Sequence, residues 1–372
     1  MVQVADLRQR MAEIKIKKTM DKIRILYLLV FLTSIQVVVK AQFKDMVVAD
    51  KFIAGLTNDG QLKLFDKSNG KKIEKRITNT SEILLLTVDK FGNIIIADKE
   101  NNIKRYNSQI SSWVFISTYN ENASGILFDS KNRCYLITDK GIRDVQTHKL
   151  FYSKNSLNHQ ITYKDKWGKP YCFYIDKKDR IWLGFGYGEW GGNLFIFDTA
   201  NKSFITPTLD KFEIDLWPIK SFFEDSTSVY LSSGLQHMFT SGIIVRFDSL
   251  TAITLLLSEY HRSESSENSN IKAMNDPEYI GPATYSSIDN SIYYYSQNGI
   301  FRGDKTKDLS KIENWKLVIK PTLHWKSGQP DAVGSPMNVL KIIIIDKGKF
   351  VFLSQEDGIG FFDKDKLIML KS

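Results

Sequence analysis

The chain has 372 residues, 42% hydrophobic and 25% charged, with a formal net charge of +9. Its 23 Phe, 16 Tyr and seven Trp against eight Pro exclude a disordered or collagen-like polymer. Two Cys exclude a disulfide-stapled scaffold and any multi-cysteine zinc or iron–sulfur site.

The chain opens with a leader. Met20-Asp21-Lys22-Ile23-Arg24 is a short charged stretch, and the 15 residues from Ile25 to Val39 are uncharged. Val39-Lys40-Ala41-Gln42 then supplies small or permitted residues where a signal peptidase reads. This is the order of a secretory signal, with cleavage expected after Ala41 and a secreted or periplasmic product. Fifteen helical residues span about 22 Å, short of the roughly 30 Å hydrocarbon core, so no permanent membrane span is expected after cleavage. An uncleaved anchor is the competing reading. Met20 is a second candidate start, which would make residues 1–19 an over-extension. Without the first 41 residues the chain holds 43 basic and 39 acidic residues, a net of +4. That balance lacks the positive field that nucleic acid requires, and no nucleic-acid partner is expected.

From Phe43 onward one pattern recurs seven times: three mostly apolar residues closed by a small one. The runs are Phe52–Gly55, Ile94–Ala97, Tyr135–Thr138, Ile181–Gly184, Val229–Ser232, Tyr293–Ser296 and Val351–Ser354. Their closing residues lie 42, 41, 46, 48, 64 and 58 positions apart. An acid precedes each run: Asp50, Asp89, Asp129, Asp176, Asp225, Asp289 and Asp346. Asp suits such turns because its carboxylate bonds backbone amides two residues on. A Gly and a further strand follow most runs, and four of these strands end in Phe-Asp, at Phe65, Phe197, Phe247 and Phe362. Weaker fourth strands follow at Lys72–Ile77, Trp113–Ser117 and Leu367–Leu370. The second strand of each unit is apolar at successive positions, so both its faces are buried, as in a blade stacked between two others. The chain is therefore expected to be all-β, one seven-bladed β-propeller of four-stranded antiparallel blades over residues 43–372, following the signal peptide at 1–41. A β-sandwich or solenoid is the alternative.

The unit Ile175-Asp176-Lys177-Lys178-Asp179-Arg180-Ile181-Trp182-Leu183-Gly184 resembles the repeat of the two-component regulator propellers. So do Val88–Ile94 and the stretch from Phe128 to Ile142. The resemblance implies a propeller of the kind that forms periplasmic sensor ectodomains. With no kinase or DNA-binding segment before Ser372, a lone secreted propeller is expected. A weaker similarity, to streptogramin-lyase-like propellers, rests on the Ile-Trp strand and a following Glu. It implies Glu189 as a metal or acid/base candidate, and His237 is a second such candidate.

Antiparallel four-stranded blades put the first and third turns on one face, and the second connection and the blade-to-blade links on the other. The turns are short. Length gathers instead at Gly184–Gly192 and Ser232–Gly242, and in the links Thr147–Tyr171, Thr206–Ile219, Glu259–Pro282 and Pro321–Asn338. All large insertions are therefore expected on one rim of the channel, where long loops on a rigid scaffold carry binding residues. Tyr187, Trp190, Trp217, Trp167, His261, His324 and Trp325 lie in them as ligand-binding candidates. Aromatic faces near carboxylates and amides suit a glycan or small molecule, and a broad loop face suits a protein. Mutual packing of these rings is the competing reading.

His148, His159, His237, His261 and His324 show no metal spacing, so no metal site is expected from them, and the sequence leaves the identity of any cofactor unknown. Cys134 and Cys172 should sit at opposite ends of their strands, about 17–20 Å apart, and stay free and buried. No catalytic elbow, Cys–His signature or dinucleotide fingerprint occurs. A non-enzymatic binding module is the leading expectation. A lyase or hydrolase at the channel mouth and a scaffold or sensory subunit are the alternatives.

Overall fold

The computed structural model describes residues 42–74, 81–152, 170–188, 191–236, 240–258, 278–324 and 338–371. The leader and its expected cleavage point lie outside them. Seven antiparallel sheets follow in chain order, each a simple meander. Blade 1 is β1 (Phe43–Val48), β2 (Phe52–Thr57) and β3 (Leu62–Asp66). Blade 2 is β4 (Ile83–Val88), β5 (Ile94–Asp98), β6 (Asn102–Asn107) and β7 (Ser112–Thr118). Blade 3 is β8 (Ala123–Phe128), β9 (Cys134–Thr138), β10 (Ile142–Asp144) and β11 (Lys149–Phe151). Blade 4 is β12 (Cys172–Ile175), β13 (Arg180–Gly186), β14 (Gly192–Asp198) and β15 (Ser203–Ile205). Blade 5 is β16 (Ile219–Glu224), β17 (Val229–Gln236), β18 (Thr240–Asp248) and β19 (Thr251–Ser258). Blade 6 is β20 (Ala283–Ser286), β21 (Ser291–Ser296), β22 (Gly299–Asp304) and β23 (Trp315–Ile319). Blade 7 is β24 (Val339–Asp346), β25 (Lys349–Ser354), β26 (Gly358–Asp363) and β27 (Lys366–Leu370).

The protein is a seven-bladed β-propeller. The first strand of each blade lies against the first strand of the next, and β24 meets β1, so these strands form the innermost ring. Every repeated apolar run falls on a second strand. Strand period two sends alternate residues of that run to opposite faces. In β5, Ile94 and Ile96 pack toward blade 1 while Ile95 and Ala97 pack toward blade 3. In β21, Ile292 and Tyr294 face blade 5 and Tyr293 and Tyr295 face blade 7. Each apolar cluster of the core spans one blade-to-blade interface.

The last of these interfaces closes the ring. Phe43, Met46, Ile53 and Phe65 of blade 1 pack with Val351, Leu353, Ile359 and Phe361 of blade 7. Lys341 Nζ adds bonds to Asp45 Oδ1 at 2.6 Å and to the Met46 carbonyl at 3.1 Å. Closure therefore rests on side-chain packing, and among the described residues no strand is exchanged between the two blades. The fourth strand expected over Lys72–Ile77 is reduced to a bridge from Lys72 to Phe65 among the described residues.

The Asp turns form as expected where the acid is buried. Asp176 Oδ1 accepts the amides of Lys178 and Arg180 at 2.9 and 2.8 Å; Oδ2 accepts Arg180 Nε and the indole Nε1 of Trp182 at 2.6 and 2.9 Å. Asp89, Asp129 and Asp225 cap their turns in the same way. Asp50 and Asp346 are exposed.

Three features depart from the sequence expectation. Gly184–Gly192 and Ser232–Gly242 are mostly strand: β13 pairs with β14 out to Gly186–Gly192, and β17 with β18 out to Gln236–Thr240. The hairpins lengthen because their glycines let neighbouring backbone lie directly on them. A Cβ at Gly234 or Gly242 would meet the backbone of Ile280 at 2.4 or 2.5 Å. Second, the third connection of blade 6, Lys305–Asn314, is an excursion on the short-turn face, so not every insertion gathers on one rim. It is held by a 3-10 turn at Ile312–Asn314, by buried Leu309 and by the Trp315 indole bonding the Leu309 carbonyl at 3.0 Å. Third, both thiols are free as expected, but Cys172 is only half-buried because β12 opens the blade beside the rim; Cys134 is buried.

Candidate functional site

The two faces of the ring differ in how their polar groups are spent. On the short-turn face each blade is tied to a neighbour. Ser130 N and Oγ donate to Asp179 Oδ1 and Oδ2 at 2.7 and 2.5 Å, joining blades 3 and 4. Lys177 donates to Glu224 Oε2 and the Asp225 carbonyl, joining blades 4 and 5. Lys202 reaches back to Tyr135 Oη and Asp144 Oδ2 at 2.7 and 3.0 Å, and Lys305 pairs with Asp225 across blades 6 and 5. Burial alone would raise the Asp225 carboxyl, but Lys305, the turn amides of Thr227 and Ser228 and the Tyr230 hydroxyl hold it well below the usual range. These charges are committed to the fold.

The opposite face begins with a repeated irregularity. Five innermost strands carry a register shift at their second residue, which leaves Lys44, Leu84, Ser124, Lys220 and Leu340 as bulged positions. A bulge re-aims its side chain and is frequent beside binding sites. These residues ring the channel mouth at the loop-side end of the inner strands. In blade 4 the corresponding place is taken by Tyr171, whose amide bonds the Gly184 carbonyl at 2.8 Å.

Lys220 stands out among them. Its Nζ lies 5.0 Å from the centroid of the Tyr171 ring and 6.0 Å from that of Tyr279. Tyr171 is half exposed and Tyr279 is buried. Local sequence sets this geometry. Gly184 leaves room for Ile219 and the Cys172 sulfur, either of which a Cβ there would meet within 2.8 Å. Gly234, Gly242 and Gly281 likewise let the segment Tyr279–Ile280 lie close over blades 5 and 6. Burial pushes the Lys220 amine down to about 8, only partly offset by nearby Cys172, whose own thiol burial pushes up. The Lys220 ammonium has no ion pair or hydrogen bond among the described residues.

Of the candidates read from the sequence, Tyr187, Trp217 and His324 are described; Trp167, Glu189, Trp190, His237, His261 and Trp325 lie outside the described residues. Tyr187 follows β13 at the hairpin end, its amide bonding the Gly191 carbonyl at 2.8 Å and its ring 6.1 Å from Phe185. Trp217 is 9% exposed and packs with Trp182, Ile219 and Phe222, which gives it a packing role. The glycines around it explain this. A Cβ at Gly191 or Gly192 would sit 1.4 or 2.3 Å from the carbonyl oxygens of Asp215 and Trp217. His324 is 86% exposed by side chain, with Nδ1 2.5 Å from Asp357 Oδ1 and its amide 2.8 Å from Oδ2. Ser354 Oγ bonds the same carboxylate at 3.2 Å. No hydrogen bond, ion pair or ring contact joins His324 to Lys220. Among the described residues no three His, Cys, Asp or Glu converge as a metal site.

Seven meander blades around one axis decide the structural comparison. The chain is structurally similar to the extracellular domains of a one-component and a hybrid two-component system of B. thetaiotaomicron. The extracellular domain of a one-component system from B. thetaiotaomicron matches with TM-score 0.53 at 13% identity, over 87% of this chain and 38% of the other. That of a hybrid two-component system from the same organism matches with TM-score 0.50 at 15% identity, over 87% and 40%. The chain thus spans about two-fifths of the length of these sensor domains. The computationally designed Ika8 protein matches with TM-score 0.50 at 12% identity, over 86% and 83%. At such identities the likeness is one of fold. No family model and no curated protein sequence matches the chain. Among the described residues no helix is long and apolar enough to cross a membrane.

The sequence reading missed Lys220, Tyr171 and Tyr279. A signal was present: Lys44 and Lys220 are the second residues of inner strands whose remaining core positions are apolar, an arrangement that a hydrophobic strand does not require.

Proposed function

We propose that this chain is a secreted or periplasmic binding propeller, released by cleavage after Ala41, that recognises a glycan, small molecule or protein through its loop-side face without catalysing a reaction on it. One observation carries the reading. Several charged groups of the short-turn face, among them Asp225, Lys305 and Lys202, are engaged in blade-to-blade bonds, whereas the channel mouth opposite carries bulged positions and, in Lys220, a cation with no counter-charge among the described residues. Tyr187 and His324 lie on the same face, and Trp190 falls in the blade-4 hairpin by sequence. Likeness to extracellular sensor domains favours a sensory use, in which occupancy of this face is passed to a partner.

The test is calorimetric titration of residues 42–372 with a panel of glycans and metabolites. Loop-side variants Tyr187→Ala and Trp190→Ala are compared with the short-turn-face variant Lys90→Ala. Binding weakened by the first pair alone supports the proposal. Binding lost only in Lys90→Ala, or turnover of a bound panel member, refutes it. Recovery from culture fluid or periplasm of a chain starting at Gln42 checks the compartment.

A further inference from the structure

The inner ring of strands carries three cations: Lys44 on β1, Lys220 on β16 and Lys341 on β24. Two have oxygen partners. Lys44 Nζ donates to the Ile83 carbonyl at 3.2 Å, and Lys341 bonds Asp45 and the Met46 carbonyl. Among the described residues Lys220 has only the faces of Tyr171 and Tyr279. The acid nearest in sequence to Tyr279, Glu278, is already bound by Ser296 Oγ and by Asn298 Nδ2 at 2.9 Å. A half-buried cation among rings, with Glu278 engaged elsewhere, has an open requirement for an anion.

The rings define the shape of what would bring that anion. Tyr279 is 3% exposed and backs the amine from the protein side. Tyr171 is 51% exposed, so its side chain remains accessible to a ligand near the ammonium. We infer that Lys220 and Tyr171 form an anion seat at the channel mouth, taking a ligand that carries a carboxylate on a ring: the carboxylate on Lys220 Nζ, the ring against Tyr171. Sugar acids and aromatic acids share this chemistry. The inference rests on the loop-side binding reading and narrows it to acidic ring compounds.

The order of events in the fold supports the assignment. Gly184 admits the Cys172 sulfur and Ile219, and the bulge between Ile219 and Ser221 then frees Lys220 from the strand register. Ser221 itself is locked by Ser232 Oγ at 2.7 Å and by the Ala283 carbonyl and amide at 3.1 and 2.8 Å. The backbone on either side of Lys220 is thus fixed, and the lysine position does not depend on a ligand.

The experiment titrates residues 42–372 with glucuronate, benzoate and neutral glucose, read by calorimetry and by the NMR signal of the reductively methylated Lys220 amine. Glucuronate or benzoate should bind, glucose should bind at least tenfold more weakly, and Lys220→Met should lose roughly tenfold to a hundredfold in affinity for the acid, the usual range for a charge-assisted bond. The stronger of the two acids identifies the source of the chemistry. Tyr171→Ala, at an exposed position, should weaken the ring-bearing acid while leaving the fold intact by circular dichroism. Failure of both acids to move the Lys220 signal at millimolar excess overturns the inference, as does acid binding unchanged in Lys220→Met. A panel ligand lost in Tyr187→Ala or Trp190→Ala but retained in Lys220→Met would overturn the anion seat and leave the loop-side reading standing.

Discussion

Lys220→Met should make the protein more stable at pH 7, although it removes a charged residue from the centre of the proposed site. A fall of the amine from 10.5 to about 8 corresponds to roughly 3 kcal/mol held against the charged form. The residue keeps part of its surface accessible, so water relieves a share of this, and the two ring faces return about 0.5–2 kcal/mol that the variant forfeits. A net gain of about 1–2 kcal/mol remains. With an unfolding entropy of about 2.1 cal/mol/K per residue over a domain of this size, that is a rise of roughly 1–3 °C in Tm.

The pH dependence gives the sign a second check. Because the folded-state value lies below the unfolded one, the folded chain binds fewer protons between about pH 8 and 10.5, and wild-type stability recovers across that window relative to the variant. The penalty is fully present below about 8. Among the described residues the titratable groups facing the amine are Tyr171, Cys172 and Tyr279, and burial pushes all three upward, so they stay neutral through most of the window. Thermal melts of both proteins at pH 7 and pH 10 should show a gap that shrinks with rising pH. A variant less stable at pH 7, or a gap indifferent to pH, would mean that Lys220 has a counter-charge and that the reasoning is wrong.

Asp225→Asn should cost about 2–4 kcal/mol at pH 7 by stranding Lys305 and weakening a buried turn. Since the folded Asp225 carboxyl is depressed, its contribution is present above the unfolded value near 4 and fades as pH falls further, so the two denaturation midpoints should converge in acid. Phe43→Ala should open the ring closure at a cost of about 3–5 kcal/mol, seen as a lower urea midpoint. Gly191→Ala, at φ +78° and facing the Asp215 carbonyl, should destabilise by more than about 2 kcal/mol in the same assay. Cys134 should resist a thiol reagent until the protein unfolds, with Cys172 reacting first.

The fold was legible because each blade repeats one demand. A strand covered on both faces must be apolar at every position, and that is visible in Ile94–Ile96 or Tyr293–Tyr295 without any neighbour in view. The Asp turns were legible for a similar local reason: the carboxylate and the amides it bonds lie within four residues. The site was much less so. Gly184 to Gly192 reads as a loop, yet Gly191 and Gly192 lie where a Cβ would collide with the carbonyls of Asp215 and Trp217, and Gly184 where it would collide with Ile219 and the Cys172 sulfur. Trp217 reads as a free aromatic and is buried by that same contact. Tyr171, Lys220 and Tyr279 belong to three successive blades and meet only when those blades stack side by side. His324 was found by type alone, and its partner Asp357 comes from the second connection of the following blade.

A propeller can tolerate a costly residue such as Lys220 because of how its stability is distributed. Each apolar cluster spans a single interface, so a local penalty is borne by one contact among several and does not run through a common core. The short-turn face adds reciprocal ties at Ser130–Asp179, Lys177–Glu224 and Lys202–Asp144 that fix the blades from below. Even the excursion at Lys305–Asn314 fits this division, since Lys305 holds Asp225 and Leu309 fills the interface beside Trp315. Length on that face is spent on bonding blades together, whereas on the opposite face the described inner strands carry bulges that turn side chains out of the sheet register. The two faces therefore carry opposite physical loads, and a residue that weakens the fold is tolerable on the loop side because the ties opposite keep the ring in place.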